Sequence, residues 1–534
     1  MPQFERREFS RSLSSTGNES SKMMRVLLLL GSVVLMYSIV LLLINTSSSS
    51  VVEGSLVPSM KLIRGEKVNS RVGKVSSSKA DQSFKKTALD EFMESYPDNN
   101  YSYRLINTMH GLAATTYVLN MTSQVWLSPK DILNGRYVWW HFMLVIVPHN
   151  LNRDKKEGLL WMIGKRNTDK TPNLDDLADL TKIAVATGTI VTEMMQVPNQ
   201  AIVFEADPKR EERAEDGIVA FTWRHFMNDT SKPYWIAHLP MTRAGQKGLD
   251  TIQDFAKKEL GHTIEQFTVQ GTSKKGWTTW LLAAVDKRVK NIIPMVIAVL
   301  DLKKNLMETY DSLCKFPEAM DSYMDQGIVT RLNTKEFDAL AGILDPLVYT
   351  ERYANINKFL IYSMGDEFFW PDLSPNGYPH LVGEKRLKYL PNTGHNMEGS
   401  DMMDAVLVDY YAHLYGINLP NYEFSSQDVH SVGLQLDLRI TNGTRPTVVK
   451  LWQATNPNAR DFRITTIGKA FTFTPVTPLD ASGMNYRVVV KNPPLGYTAF
   501  MMEMEFSISF QLPPLRLTTS AYITPTTRPC KYPY

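Results

Sequence analysis

Residues 267–277 read FTVQGTSKKGW and carry the clearest indication of how the chain folds. A short β-rich run ends at Gly271, and the residues Lys275–Val285 that follow have helical character. Ser273 therefore lies between small residues at a sharp turn from a strand into a helix. Such a turn lifts a serine hydroxyl out of a sheet and toward a base, which is typical of a nucleophile elbow.

The glycine spacing departs from the usual elbow pattern, G-x-S-x-G. Here Gly271 precedes the serine at the usual distance, but Gly276 follows it one place later than usual, giving G-x-S-x-x-G. Glycine and serine at loose spacing occur often, so a plain strand-to-helix turn is an alternative interpretation of this motif taken alone.

Two later strand ends supply the groups that would activate this serine. Asp366 follows the apolar run FLIYSMG, and His395 follows LPNTG. The chain order serine, aspartate, histidine, with each residue at the carboxyl end of a strand, is the order that α/β-hydrolases use. We expect Ser273 to be the nucleophile, His395 the general base and Asp366 its orienting acid. Glu367 is a rival acid, and a structural role in a turn is the alternative for His395.

The oxyanion hole of such a site needs two backbone N–H groups. The amide of Lys274, directly after the serine at a helix N-terminus, is the first candidate. His149 and Asn150 follow the buried strand WWHFMLVIVP (139–148) and are candidates for the second. An ordinary loop is the alternative, because the glycine-rich form of that loop is absent.

Aromatic residues follow the acid on its loop. Phe369 and Trp370 are candidates for the wall of a substrate pocket, with buried packing as the alternative for each. The sequence contains no cluster of His, Cys and carboxylate residues at metal-ligand spacing, so no metal or other cofactor is expected.

Strands alternate with helices over residues 88–418, which predicts an α/β domain with a mainly parallel sheet covered on both faces. Residues 302–348 are helical in character and interrupt the alternation, so we expect an insertion over the sheet. Short alternating runs separated by Asn, Gly and Pro turns predict a small β-sandwich over residues 419–512. Residues 513–534 are expected to form an extended tail.

Residues 26–44 read VLLLLGSVVLMYSIVLLLI, without a charge. At ~1.5 Å per residue the run spans about 28 Å, close to the thickness of a bilayer core. Basic residues precede it, so residues 1–25 are expected in the cytosol and the chain is expected to be a single-pass type II membrane protein. Residues 45–87 are rich in Ser and Lys and predict a flexible stem. A cleaved signal peptide and a secreted chain are the alternative.

Composition excludes other classes of protein. The formal charge of +3 over 534 residues is too small for a nucleic-acid-binding footprint. The only cysteines are Cys314 and Cys530, and both a disulfide between them and two free thiols remain open. Five sequons follow the uncharged run and agree with an extracellular or lumenal chain, although the N-x-[ST] pattern is short and common. They predict glycosylation at Asn45, Asn100, Asn120, Asn228 and Asn442.

Several stretches together resemble the PhoPQ-activated pathogenicity-related protein family, which also contains the autocrine proliferation repressor proteins of eukaryotes. The matching stretches are WWHFMLVIVPHN, ATGTIVTEMMQVPNQ, GTSKKGWTTWLLAA, YSMGDEFFWPD and LPNTGHN. The resemblance covers roughly residues 88–510 and implies an α/β-hydrolase core with a β-rich C-terminal part. It implies a serine hydrolase with Ser273, Asp366 and His395 as the triad, in a family whose natural substrates are poorly defined. The shifted glycine looks like a family trait.

Two functions follow as hypotheses. The first is a serine hydrolase that cleaves an ester or peptide bond of a small-molecule substrate outside the cell. The alternative is a signalling or adhesion ectodomain that keeps the fold for binding.

Overall fold

The structure, a computed structural model, describes residues 84–96, 100–167, 172 and 177–534. The expected cytoplasmic tail, the expected membrane helix, Asn45 and all of the expected stem before residue 84 lie outside these ranges. Among the residues that are described, no helix is long and apolar enough to cross a membrane.

A nine-stranded sheet forms the centre of the molecule, with strand order β1-β2-β3-β5-β4-β6-β7-β8-β9. The six strands from β5 to β9 run parallel, whereas β3 is antiparallel to β5, and β2 and β1 continue the sheet in antiparallel fashion. The strands are β1 (Ser102–His110), β2 (Ala114–Val125), β3 (Val138–Pro148), β4 (Glu157–Met162), β5 (Val191–Met194), β6 (Gln266–Thr272), β7 (Val289–Met295), β8 (Asn357–Ser363) and β9 (Lys385–Leu390).

Helices cover both faces of this sheet. Successive side chains of a strand point to opposite sides, so the buried strands present apolar residues to both layers of helices. In β8, Leu360 and Tyr362 pack into one apolar cluster with α4 and α5, and Phe359 and Ile361 pack into another with α2 and α10. The expected α/β class with a mainly parallel sheet is confirmed. The helices outside the insertion are α1 (Ala88–Ser95), α2 (Ala178–Thr187), α3 (Asp216–Asn228), α4 (His238–Leu260), α5 (Lys274–Val285), α9 (Ser374–Gly377), α10 (Met402–Tyr415) and α11 (Ile464–Ile467).

Between β7 and β8 the chain forms a helical segment. It contains α6 (Leu302–Leu313), α7 (Asp321–Asp325), α8 (Lys335–Leu344) and a 3-10 helix (Pro346–Tyr353). Cys314, at the end of α6, forms a disulfide with Cys530, with a Cα–Cα distance of 5.3 Å. This bond ties the segment to the last residues of the chain.

The C-terminal part is β-rich and forms two sheets, with strand orders β10-β11-β14 and β13-β12-β15-β16, and β17 also pairs with β15. Alternate residues of β11, from Leu434 to Ile440, are buried, as expected for a strand with one face on a core. The expected tail is corrected, because residues 513–534 contribute β16 and β17, whose backbone pairs with β15. The strands are β10 (Asn421–Val429), β11 (Gly433–Asn442), β12 (Val448–Asn456), β13 (Thr472–Pro475), β14 (Asn485–Lys491), β15 (Tyr497–Phe506), β16 (Leu515–Thr518) and β17 (Tyr522–Thr524).

Candidate active site

Ser273 lies on the turn between the central strand β6 and helix α5, with φ 58° and ψ −129°. This backbone region is sparsely populated by residues other than glycine, and such strain is concentrated at functional sites. The Ser273 N–H donates to the carbonyl of Met295 at 2.8 Å, which holds the turn against β7. The side chain remains partly exposed. The turn therefore presents a serine hydroxyl at the carboxyl edge of the parallel strands.

Two glycines allow this turn because strand and helix touch here. A Cβ on Gly271 would lie 2.5 Å from the backbone carbon and oxygen of Lys275. A Cβ on Gly276 would lie 2.8 Å from Ile297 Cγ2 and 2.9 Å from the carbonyl oxygen of Gly271. The tight helix–strand contact therefore falls at Gly276, which gives the shifted spacing of this elbow a steric reason.

His395 and Asp366 meet at the same edge of the sheet. Nδ1 of His395 lies 2.9 Å from Oδ1 and 3.0 Å from Oδ2 of Asp366. The Asp366 carboxylate is 3% exposed and accepts the N–H groups of Phe368 and Phe369 at 2.8 and 3.1 Å. These bonds fix the carboxylate, and the carboxylate fixes the imidazole ring. His395 and Ser273 line one cleft with a volume of about 500 Å³.

Glu367 contacts the same histidine in a different way. Its Oε2 accepts the main-chain N–H of His395 at 2.7 Å. A Cβ on Gly394 would lie 2.7 Å from Glu367 Oε1, so this position favours glycine. The two adjacent carboxylates therefore contact different parts of His395, since Asp366 binds the ring and Glu367 binds the backbone.

The β-rich part supports both loops from outside. The Ile464 N–H donates to the carbonyl of Gly365 at 2.8 Å, next to the acid. The side chain of Asn392 donates to the carbonyl of Phe471 and accepts its N–H, both at 2.9 Å, three residues before His395. The loop between β12 and β13 therefore holds the acid loop and the histidine loop together.

The structure does not bring His149 and Asn150 to this site, and their expected oxyanion role is corrected. They follow β3, which is antiparallel to β5, so they lie at the opposite edge of the sheet from Ser273. The His149 N–H donates to the carbonyl of Ala113, and Asn150 Nδ2 donates to the carbonyl of Val185. The sequence of WWHFMLVIVP indicates a buried strand, but it does not indicate whether that strand runs parallel or antiparallel to its neighbours.

The loop after β4 lies beside the serine instead. Ile163 and Gly164 line the same cleft as Ser273, Lys274 and His395. The Ile163 N–H donates to the carbonyl of Met194 at 2.8 Å, so this amide is engaged within the sheet. Gly164 is the next residue along the loop. The strand and loop in EGLLWMIGK (157–165) were not predicted, because the apolar run is short and has no clear alternation of apolar and polar residues.

Four charged side chains form a cluster behind the elbow. Nζ of Lys274 lies 3.0 Å from Glu215 and 3.0 Å from Asp216, and Nζ of Lys275 lies 2.7 Å from Glu215. Both lysine side chains are 9% exposed. Asp216 also accepts the hydroxyl of Tyr323 at 2.9 Å. These pairs anchor the first residues of α5, and with them the backbone amide that follows Ser273.

The charges of this cluster are set by burial and by the partners. Burial alone would raise the pKa of Glu215, but the ammonium groups of Lys275 and Lys274 lower it to about 2. Burial acts to lower the pKa of Lys274, and the attraction of Asp216 and Glu215 outweighs it, so this pKa is raised. For Lys275 burial dominates and lowers the pKa. Glu215 and Asp216 were not predicted, because in the stretch KREERAEDG they look like part of a solvated charge run.

Two spaces meet at Ser273. One is the open cleft that His395 lines, and the other is an apolar chamber of about 50 Å³ beneath the insertion. The chamber is lined mainly by apolar side chains, among them Trp223, Trp277, Leu302, Leu306, Val329 and Phe369.

The two aromatic residues after the acid have different positions. Phe369 lines the chamber, and its role as the wall of a substrate pocket stays a prediction. Trp370 does not, since it is 2% exposed and its indole N–H donates to the carbonyl of Arg460 at 2.9 Å. The expectation for Trp370 is therefore corrected, and its ring packs where the β-rich part meets the acid loop.

The described sequons differ in exposure. Asn100, Asn228 and Asn442 are exposed, whereas Asn120 lies within β2 and is half-buried. Glycosylation stays a prediction at each of them. Over the ranges that the structure describes, no group of three or more His, Cys, Asp or Glu residues could hold a metal ion.

Comparison with known proteins identifies the family. A sequence profile described as PhoPQ-activated pathogenicity-related protein matches residues 89–463. Autocrine proliferation repressor protein A from Dictyostelium discoideum is 32% identical over 465 residues, which cover 83% of this chain and 91% of that protein.

Solved structures with a similar fold include two esterases. Acetyl xylan esterase 1 from Thermoanaerobacterium sp. JW/SL YS485 has 15% identity and a TM-score of 0.39, covering 61% of this chain and 93% of its own. Acetyl xylan esterase from Paenibacillus sp. R4 has 12% identity and a TM-score of 0.41, covering 61% and 92%. Likeness at these TM-scores carries no information on substrate. The profile match and the curated relative confirm the resemblance, and the chain belongs to the PhoPQ-activated pathogenicity-related protein family.

Proposed function

We propose that this protein is a serine hydrolase in which Ser273, His395 and Asp366 form the catalytic triad. The observation that carries the proposal is the strained backbone of Ser273 on a strand-to-helix turn, in one cleft with a histidine whose ring is bound to a buried aspartate. A plain turn needs no strain at its serine, and a structural histidine needs no buried carboxylate on Nδ1.

In the proposed mechanism the hydroxyl of Ser273 attacks a carbonyl carbon while Nε2 of His395 takes its proton. A tetrahedral intermediate forms, and its collapse breaks the bond to the leaving group, which receives the proton from His395. Water then attacks the acyl-enzyme by the same route in reverse and releases a carboxylic acid. Asp366 holds the imidazole in the tautomer with hydrogen on Nδ1 and stabilises the imidazolium ion.

The oxyanion would be bound by two backbone amides. The first donor is the N–H of Lys274, at the N-terminus of α5, where the helix dipole adds to the stabilisation. The second donor that we propose is the N–H of Gly164, in the loop between β4 and α2. In α/β-hydrolases the corresponding loop supplies this donor, and Gly164 lines the cleft beside Ser273.

We also propose that the chain acts outside the cytosol, anchored by residues 26–44. The support is the uncharged run, the basic residues that precede it and the sequons that follow it. A disulfide between Cys314 and Cys530 agrees with this placement, because structural disulfides persist in oxidising compartments.

Binding without catalysis is the second candidate. The curated relative is named for the repression of proliferation, and a signalling role for that protein would require only the fold and its surfaces. An intact constellation of serine, histidine and aspartate favours the enzyme, because a binding protein has no need to keep the strained turn.

Hydrolysis of simple esters tests the proposal. Full-length protein should release 4-nitrophenol from 4-nitrophenyl acetate, and Ser273→Ala should lose at least 10³-fold in kcat, since it has no nucleophile. Ser231→Ala is the matched control and should retain full activity, because Ser231 lies in an exposed turn and does not line the cleft. Equal rates for the wild type and Ser273→Ala would contradict the assignment.

A further inference from the structure

Ser273 stands at the junction of two unlike spaces. Asp216, Ser273, Lys274 and Phe368 border both the cleft and the chamber. The cleft has a volume of about 500 Å³ and the chamber one of about 50 Å³. A substrate whose carbonyl carbon reaches Ser273 must therefore place one side of its scissile bond in each space.

The position of His395 determines whether the leaving group or the acyl group of the substrate occupies the cleft. The general acid has to protonate the atom that leaves, so the leaving group departs on the side of the imidazole. His395 lines the cleft and is not among the residues that line the chamber. The leaving group therefore occupies the cleft, and the substituent on the carbonyl carbon points into the chamber.

The chamber limits the size and the charge of this substituent. A cavity of about 150 Å³ holds a benzene ring, so a space of about 50 Å³ admits a group of only a few carbon atoms. The acid at its border is already engaged, because Asp216 binds Lys274 at 3.0 Å and the Tyr323 hydroxyl at 2.9 Å. A charged acyl group would lose its hydration there without gaining a free partner.

The cleft is larger and more open than the chamber, and it has more polar groups among its walls. Lys275, Glu367 and Asn396 are among the residues that line it, and it is ten times larger by the two volumes above. The open mouth and the larger volume suit a leaving group that is larger than the acyl group. A peptide would have to continue beyond the carbonyl carbon on the acyl side, where the chamber has no room for a chain.

On the basis of the proposed function, we infer that the substrate is an ester of a short, uncharged acyl group of two to four carbons with a larger alcohol. The bond between the carbonyl carbon and the alcohol oxygen breaks, the oxygen leaves as the alcohol with the proton from His395, and water supplies the oxygen of the carboxylic acid product.

Two substrate series test the inference with the full-length protein. In the first, 4-nitrophenyl esters run from acetyl to octanoyl, and kcat/KM should be about 10²-fold lower for octanoyl than for butanoyl, because extra methylenes overfill a packed site. In the second, the acyl group is always acetyl and the alcohol lengthens from ethanol to octanol. This series should change kcat/KM by less than about threefold, because the cleft is open.

A substitution in the chamber shows which of the two substrate series depends on the size of the chamber. Leu306→Ala enlarges the chamber and should narrow the butanoyl-to-octanoyl ratio of kcat/KM to about 10-fold or less. Within the alcohol series the ratio of kcat/KM between ethyl and octyl acetate should stay as in the wild type, whatever the variant does to the rate for acetyl esters as a group. Leu313→Ala is the matched control, since Leu313 is a partly buried leucine of the same helix that does not line the chamber. It should leave both series as in the wild type.

The results separate this inference from the function on which it rests. Hydrolysis that depends on Ser273 but prefers octanoyl esters or aminoacyl peptides would overturn the inference and keep the hydrolase. A change in the ethyl-to-octyl ratio of the alcohol series in Leu306→Ala would overturn the orientation. No hydrolysis of any ester that depends on Ser273 would overturn both.

Discussion

Nδ1 of His395 lies 2.9 Å from Oδ1 of Asp366, and no other carboxylate among the described residues lies within hydrogen-bond distance of that ring nitrogen. The neighbouring carboxylate of Glu367 is bound to the main-chain N–H of the same histidine. One carboxylate therefore controls the tautomer and the other controls the position of the backbone. This division of roles makes the two acids separable by mutation.

Asp366→Asn should keep the fold and lower kcat by about 10⁴-fold, because the amide favours the wrong imidazole tautomer. Glu367→Gln should change kcat little, since the amide oxygen of glutamine can still accept the N–H of His395. Glu367→Ala removes the acceptor and should cost up to about 10²-fold through misplacement of the ring. Turnover of 4-nitrophenyl acetate by the three variants measures this, and a larger loss for Glu367→Gln than for Asp366→Asn would reverse the assignment.

The glycine of the elbow should be sensitive to a single methyl group. Gly276→Ala places a Cβ 2.8 Å from Ile297 Cγ2 and should lower the free energy of unfolding by about 1–3 kcal/mol. Gly342, within α8, is the matched control because a Cβ there meets nothing within 4 Å. Gly342→Ala should instead raise stability by up to about 1 kcal/mol. Urea unfolding compares the two, and equal effects would refute the steric explanation of the shifted glycine.

Stability should fall in acid because of His238. Burial, with a contribution from Lys274, lowers its pKa to about 3, whereas the unfolded chain titrates near 6.5. Between these values the unfolded state binds a proton that the folded state does not bind, so stability is complete above pH 6.5 and is lost as the pH falls toward 3. His238→Phe should reduce the slope of unfolding free energy against pH by about 1.4 kcal/mol per unit.

The control for this experiment is His430→Phe, which alters an exposed histidine in a turn. Urea unfolding between pH 4 and pH 7 should give this variant the slope of the wild type. An unchanged slope for His238→Phe would show that the acid sensitivity arises elsewhere.

The disulfide should matter for stability. It joins residues 216 apart in sequence, so it restricts the unfolded chain strongly. Replacing both Cys314 and Cys530 by serine should lower the free energy of unfolding by about 2–4 kcal/mol. Reduced wild-type protein should unfold at the same urea concentration as the double variant. If the variant and the oxidised wild type unfold together, the bond does not form in solution.

The sequence predicted the local parts of the fold well. The sequence pattern indicates the strand at FTVQ, the helix that follows it and the two strand ends that precede Asp366 and His395. These features follow from strand-helix alternation and from chain order, which can be read along the sequence. The pairing of strands is not local. WWHFMLVIVP has the burial of a central strand, and only its antiparallel pairing with β5 moves His149 away from the serine.

Long-range contacts explain the other residues that the sequence did not predict. Glu215 and Asp216 acquire their role from two lysines about sixty residues later, and Trp370 is covered by a loop at Arg460. The strands β16 and β17 are short and follow several prolines, so the pattern of residues 513–534 favoured an extended tail. In each case the chemistry of the residue is ordinary and its neighbours are distant in sequence.

The central claim is that Ser273 is a nucleophile activated by His395. The most direct measurement is labelling of the full-length protein with a fluorophosphonate, followed by mass spectrometry of the peptide that carries the adduct. We expect a single adduct on Ser273, absent from Ser273→Ala and formed far more slowly in His395→Ala. An adduct on another serine, or equal labelling of the wild type and Ser273→Ala, would contradict it.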